Sequence, residues 1–382
     1  METTTYKISD IGEVVGGGTP STANNDFWGG DIPWISPKDL TGYKSVYISH
    51  GESFLTKTGL KSGTKLLPKG TVLFSSRAPI GYVAIASNPI CTNQGFKSII
   101  CNKEIINPLF LYYYIKGNLD YIKLFGTGAT FPEISGAAMR KIKVQIPTLP
   151  TQQKIASILS AYDRLIENNT RRIRLLEQMA ENLYKEWFVR FRFPEHENVE
   201  MVNGLPEGWK INSLKEICEF KRGRNITFAE MCDGIIQVIS AGVAPSGYHN
   251  KANVHGVSVT MSSSGANAGY ISIHYDDIWA ADCSYISEKE TEDIYYVYEL
   301  LNNIRQVINN FQIGAAQPHV YPKDINRIKT CVPPKELRIK ANTNLSKIHK
   351  EIHKLYKQNQ LLTRQRDLLL PRLMSGKLEV KS

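Results

Sequence analysis

Two stretches of the chain repeat apolar residues in alternating steps of four and three. The first seam reads Ile155, Leu159, Tyr162, Ile166, Asn169, Ile173, Leu176, Ala180, Leu183 and Trp187. The second, 186 positions later, reads Ala341, Leu345, Ile348, Ile352, Leu355, Asn359, Leu362, Arg366, Leu369 and Leu373. Heptads of this length predict two long helices, each seam about 50 Å long, paired as a coiled coil. The alternative is two amphipathic helices packed separately on their own domains; so narrow a seam buries poorly against a broad core. Parallel and antiparallel pairing are both open. A duplicated chain favours a pseudo-two-fold and hence the antiparallel pair, with Asn169 facing Asn359 and Ile155 facing Leu373. Pro371 is expected to kink or end the second helix.

The same offset reaches beyond the seams. The corner RKIKVQIPTLPTQQKIASIL (Arg140 to Leu159) returns as NRIKTCVPPKELRIKANTNL (Asn326 to Leu345), with Lys143 on Lys329 and Pro147 on Pro333. Gly128-Ala129 falls on Gly314-Ala315, and Pro132 on Pro318. Earlier stretches correspond at other offsets: YKISDIGEVV (Tyr6 to Val15) with WKINSLKEIC (Trp209 to Cys218), offset 203, and Gly81-Tyr82 with Gly269-Tyr270. A period this long means duplication of a whole domain rather than a solenoid. Each half is a variable block followed by a helical block of nearly fixed length. In both blocks short strands flank glycine-rich turns, and aromatic-rich helices follow (NPLFLYYYIKGNLDYIKLF, IYYVYELLNNIRQVINNF), so each is read as α+β. The polar segment RFPEHENVEMVNGLPEGW links the halves.

Charge sharpens this picture. The 382 residues carry a net charge of +10, but unevenly: residues 194–336 hold 12 basic and 18 acidic groups, while residues 1–150 hold 15 and 10. Two windows, 53–103 and 234–275, contain no Asp or Glu. Acid-free windows beside acid-rich ones suit a surface with one side turned to phosphate; chance clustering is the plainer reading. Six cysteines without a C-x-x-C pair fit free thiols in a reducing cytoplasm and no zinc site. No signal peptide and no membrane span are expected.

Patterns that would carry catalysis are nearly absent. NPLF (Asn107 to Phe110) lacks the second proline of the amino-methyltransferase motif, and no F-x-G-x-G loop precedes it; it reads as a helix start. LMSGKLEV lacks the glycines of a phosphate loop, and His349 and His353 read as solvated helix residues rather than metal ligands. Binding features are richer. FKRGRNIT offers Lys221, Arg222 and Arg224 around a glycine, where guanidinium groups could reach phosphates or guanine edges. VGGGTPSTANN offers Thr19 and Ser21, with backbone N–H groups able to approach phosphate. The equivalent turns SSRAPIGY and SSSGANAGY offer Ser76 and Arg77 in one half and Ser264 and Asn267 in the other, and Lys38 and Lys97, the latter in the first acid-free window, are further candidates for DNA contact. Taken singly, each loop also reads as an ordinary solvated turn.

With these features assembled, the chain resembles the specificity subunit of type I restriction-modification systems. The resemblance rests on the helix led by IPTLPTQQKIASIL, the helix ending LLLPRLMSGKLEV, and the stretches GGGTPST, GGDIPWISPKDL (which contains Lys38) and SSRAPIGYVAI…CTNQGFKSI. The second half departs from it, since VPPKELRIKANTNL lacks the Gln152-Gln153 pair of the first. The resemblance implies two target-recognition domains, residues 1–147 and 206–333, in pseudo-two-fold repeat and separated by two long antiparallel helices. It also implies a central helix at 148–193, a linker at 194–205 and a C-terminal helix and tail at 334–382. Such a subunit is cytoplasmic and non-catalytic and binds no cofactor or metal of its own. It reads a split, asymmetric site in double-stranded DNA and docks two methyltransferase subunits that carry S-adenosylmethionine; two translocase–endonuclease subunits can join. A non-catalytic coiled-coil scaffold and a solitary DNA-binding protein outside a restriction system are the alternatives.

Overall fold

A computed structural model describes residues 2–128, 130, 132–311 and 318–380. Ala129, Gly314 and Ala315 of the repeat therefore lie outside the described residues. The chain forms two compact units, Met1–Asn169 with Gln358–Ser382, and Thr170–Lys357. Each mixes sheet with helix, and each contains an antiparallel pair of helix segments drawn from the two long helices, Leu149–Tyr184 and Lys335–Met374. No helix among the described residues is long and apolar enough to cross a membrane.

In the first unit, strands Gly12–Gly16, Lys97–Cys101, Val72–Phe74, Val83–Ala86 and Tyr47–Ile48 lie side by side in that order, and a three-stranded sheet is centred on Trp28–Ile35. The helix Pro108–Gly117 packs on the larger sheet. Its Asn107 side chain accepts hydrogen bonds from the N–H groups of Leu109 and Phe110, so this asparagine is a helix cap. In the second unit, strands Lys221–Arg222, Cys283–Ser287, Ser258–Ser262 and Ile271–His274 form the corresponding sheet, beside a three-stranded one. The helix Ile294–Asn303 stands 186 residues after its counterpart.

The proline corner is built alike in both units. Thr4–Lys7 pairs antiparallel with Lys143–Ile146, and Lys210–Ser213 pairs with Lys329–Val332. The register corrects the sequence alignment. Lys7 lies opposite Lys143 and Ser213 opposite Lys329, so the N-terminal strands correspond at an offset of 206 rather than 203. What the two share is the next residue: buried Ile8 and Leu214 donate their N–H groups to the carbonyls of Ile142 and Ile328, at 3.0 and 2.8 Å.

Each long helix is then bolted to its block one turn in. In the first unit the buried Gln152 side chain accepts from the N–H of Asn107 and donates to the carbonyls of Ile105 and Pro147, each at 2.9 Å. In the second unit the equivalent position is Arg338, which grips buried Asp293 at 2.6 Å. The residues equivalent to Asn107 and Gln152 are thus Asp293 and Arg338, and an amide bolt has become an ionic one. This accounts for the missing Gln-Gln pair.

The seam positions are buried or half-buried in both helices, while Leu165, Leu175, Leu361 and Leu368 beside them are exposed. In the first unit Ile155 and Leu373 share one core. At the far end of the same pair of segments Asn169 donates to Gln358, and Asn359 donates to the Ile166 carbonyl, both at 3.4 Å. As one helix rises the other falls. Arg366, the one cation in the seams, is held by the buried Asp163 carboxylate, which also accepts from Tyr113.

In the second unit Ile173, Ile352 and Leu355 pack together, and Ala180 and Tyr184 join Ala341 and Leu345 in the core of the block. His349 is not solvated. It is 1% exposed, accepts or donates one bond with the Tyr275 hydroxyl at 2.9 Å, and lies 3.3 Å from buried Glu299. His353 stacks on Tyr275 instead of facing open water. Pro371 does not end its helix, which runs on to Met374 and stops before Gly376 at φ +72°.

Candidate nucleic-acid interface

In the first unit Thr19, Ser76, Arg77 and Lys97 gather round one loop cluster. Ser76 is fully buried; its hydroxyl donates to the Gly95 carbonyl at 3.1 Å and its own carbonyl accepts from the Ile134 N–H. It shapes the turn and offers no surface for DNA, which corrects its place among the contact candidates. Its neighbour Arg77 reaches outward and meets Glu133 at 3.3 Å. Lys97 meets the other oxygen of Glu133 at 3.2 Å, together with the Gln94 carbonyl at 3.2 Å and the Ser76 hydroxyl at 3.4 Å. Thr19 is exposed and donates to the Gln94 side chain. Ser21 is exposed, with its carbonyl taken by the Trp28 indole, and Lys38 sits on a separate turn, paired with Glu52 at 2.9 Å.

The glycines ahead of Thr19 serve a different purpose from the one expected. A Cβ on Gly17 would fall 2.0 Å from the Asn93 carbonyl oxygen, and one on Gly18 would fall 1.8 Å from that of Gly63. Their N–H groups bond the carbonyls of Phe96 and Thr92. Close packing against neighbouring loops requires glycine here, and these N–H groups are not available to phosphate.

In the second unit Lys221 and Arg222 form a short exposed strand beside Cys283–Ser287, with Lys221 paired to Glu290 at 2.9 Å. Gly223 passes so close to the Ala281 carbonyl (2.2 Å from a built Cβ) that no side chain fits. The chain then presents Arg224 with its guanidinium 6.0 Å from the centre of the Trp279 ring, whose indole donates to the Arg224 carbonyl. Ser264 is buried and donates to Asp282 at 2.8 Å, so it too belongs to the loop's interior and not to a contact surface. Asn267 is exposed at the end of the turn Gly265–Asn267. His319 bridges to Ser264 and stacks on Tyr321.

Sequence reading missed Glu133, Asp282, Trp279 and His319. The repeat held a signal for two of them, because His319 stands 186 residues after Glu133. Among the described residues no group of three His, Cys, Asp or Glu side chains could hold a metal.

The pattern of the type I restriction modification DNA specificity domain matches this chain twice, over residues 1–178 and 206–367. The chain belongs to the type I restriction-modification specificity family. Among relatives of this specificity chain, the MjaIX specificity subunit of Methanocaldococcus jannaschii is 35% identical, over 98% of this chain and 93% of that protein. The EcoR124I/EcoR124II specificity subunit of Escherichia coli is 30% identical over 50% of this chain and 49% of its own length. The crystal structure of the type I system S subunit from M. genitalium shares the fold, with a TM-score of 0.65 at 18% identity over 100% of this chain and 97% of that one. The specificity fold is thus α+β, duplicated, with long antiparallel helices.

Proposed function

We propose that this chain is the non-catalytic DNA-recognition subunit of a type I restriction-modification complex. Each unit's block reads one half of a split, asymmetric site in double-stranded DNA. The long helices dock two methyltransferase subunits, which carry the S-adenosylmethionine; this chain binds no cofactor itself. Two translocase–endonuclease subunits can join the assembly. The observation that carries this reading is the double family match, one on each half of a duplicated chain. Support comes from the exposed cationic loop of the second unit, Lys221, Arg222 and Arg224. Phosphate contacts through such residues release counterions, so affinity falls steeply with salt.

The test is a duplex-binding titration across salt concentrations, followed by mapping of methylated adenines in a strain that carries the chain and its methyltransferase. A salt-dependent shift and a two-part methylated motif are the expected results. Methyltransferase binding with no DNA shift at low salt would leave a scaffold instead.

A further inference from the structure

We propose that Arg77 reads a guanine in the half-site served by the first unit, and that Glu133 is the positioning residue that aims it. This rests on the DNA-recognition reading above and names the chemistry of one reader.

Ser76 N–H donates to the Gly95 carbonyl at 2.7 Å, and the Ser76 carbonyl accepts from the Ile134 N–H at 3.0 Å. The root of Arg77 is therefore pinned between two segments, and Glu133 sits next to one of the pins. The Glu133 carboxylate is itself fixed, because Lys97 binds its Oε1 while Arg77 Nη1 binds its Oε2. Lys97 is 15% exposed and meets a carbonyl and a hydroxyl besides, so it anchors the loop rather than reaching out. Arg77 is 38% exposed. A guanidinium carries five N–H donors; one nitrogen of Arg77 is bonded to Glu133, and its other donors meet no partner among the described residues.

Geometry favours base over phosphate. Glu133 offsets one of the two positive charges it meets, those of Arg77 and Lys97, and so reduces the net charge that a phosphate would reward. It leaves the directional donors in place and restricts the rotamers of a long side chain, which favours a planar fork meeting the O6 and N7 acceptors of guanine. In the second unit the residue 186 positions after Glu133 is His319, stacked on Tyr321, so that reader lacks this clamp and serves as an internal control.

The experiment selects bound duplexes from a randomised pool, at one salt concentration, with the full chain assembled with its methyltransferase. Wild type is expected to enrich guanine at one position of one half-site. Arg77→Lys keeps the charge and loses the fork; it is expected to lower that preference about tenfold or more and to leave the other half-site unchanged. Glu133→Gln is expected to relax the same single position at an unchanged melting temperature, and Glu133→Asp to recover part of it. A purely structural role for Glu133 would instead weaken binding to every sequence. An unchanged guanine preference in Arg77→Lys, or a uniform loss of affinity in Glu133→Gln, overturns the proposal. A wild-type complex that selects no sequence at all overturns the DNA-recognition reading itself, a result distinct from a half-site that is selected but indifferent to Arg77.

Discussion

Lys97 and Arg77 meet the same carboxylate, yet only Arg77 reaches well into solvent. A residue's type suggested binding, but its neighbours set its task, and those neighbours lie far away in sequence. Ser76 and Ser264 looked like surface hydroxyls and prove to be interior struts; Gly17 and Gly18 looked like a phosphate cradle and prove to be packing gaps. The exposure of Lys221, Arg222 and Arg224 was legible, since a charged run round a glycine belongs at a surface. Replacing all three with Ala is expected to weaken duplex binding across sequences, with the salt slope falling by about one unit for each phosphate left without its cation; titration at several salt concentrations measures it. His274 makes a different statement. Half-buried beside the Thr260 hydroxyl at 2.8 Å, it has its pKa lowered by burial from 6.5 to about 4. Above pH 6.5 the ring is neutral in both folded and unfolded chains. Between 6.5 and about 4 the unfolded chain takes up a proton that the folded chain does not, so stability falls as pH falls. The loss is at most roughly 3 kcal/mol. Urea unfolding at several pH values should show the slope, and His274→Gln should remove its share.

At the scale of elements, the seams carry the clearest signal, because burial of one face every three or four residues writes itself into sequence. Polar seam positions were less legible. Arg366 breaks the apolar pattern, and only the fold shows Asp163 waiting for it, with Tyr113 on the same carboxylate. Arg366→Ala would leave that carboxylate without its cation. A destabilisation of about 3–5 kcal/mol is expected, read as a lower urea midpoint, whereas removing both charges in Asp163→Asn with Arg366→Met should cost much less. The offset of the N-terminal strands was misread by three residues for a related reason. Strand register is fixed by partners such as Lys143 and Lys329 over a hundred positions away, which local similarity does not contain. Pro371 misled as well, because a proline so near a helix end forfeits only one late hydrogen bond.

For the whole molecule, the duplication was readable from one constant offset, and so was the fold class. The loops were not, because each is stabilised by contacts with others of independent length. Under the proposed function the helices also act as a spacer. Four residues inserted after Asn168 add about one turn, roughly 6 Å, against a duplex rise of about 3.4 Å per base pair. The gap between the two half-sites is expected to widen by one or two base pairs while the half-sites keep their sequences. Mapping methylation before and after the insertion checks this; a constant gap with methylation intact would place the spacing in the methyltransferase partners.

The unlike bolts at the two proline corners bear on how readers could be exchanged. Asn107 meets Gln152, whereas Asp293 meets Arg338. A chimera cut at the proline that set the second reader on the first helix would bury Asp293 opposite a neutral glutamine, and the reverse graft would strand Arg338 beside an asparagine. Either mismatch leaves one interior charge uncompensated. The portable cassette is therefore longer than the folded reader: it has to carry the first turn of its own helix with it, past Gln152 in one half and past Arg338 in the other.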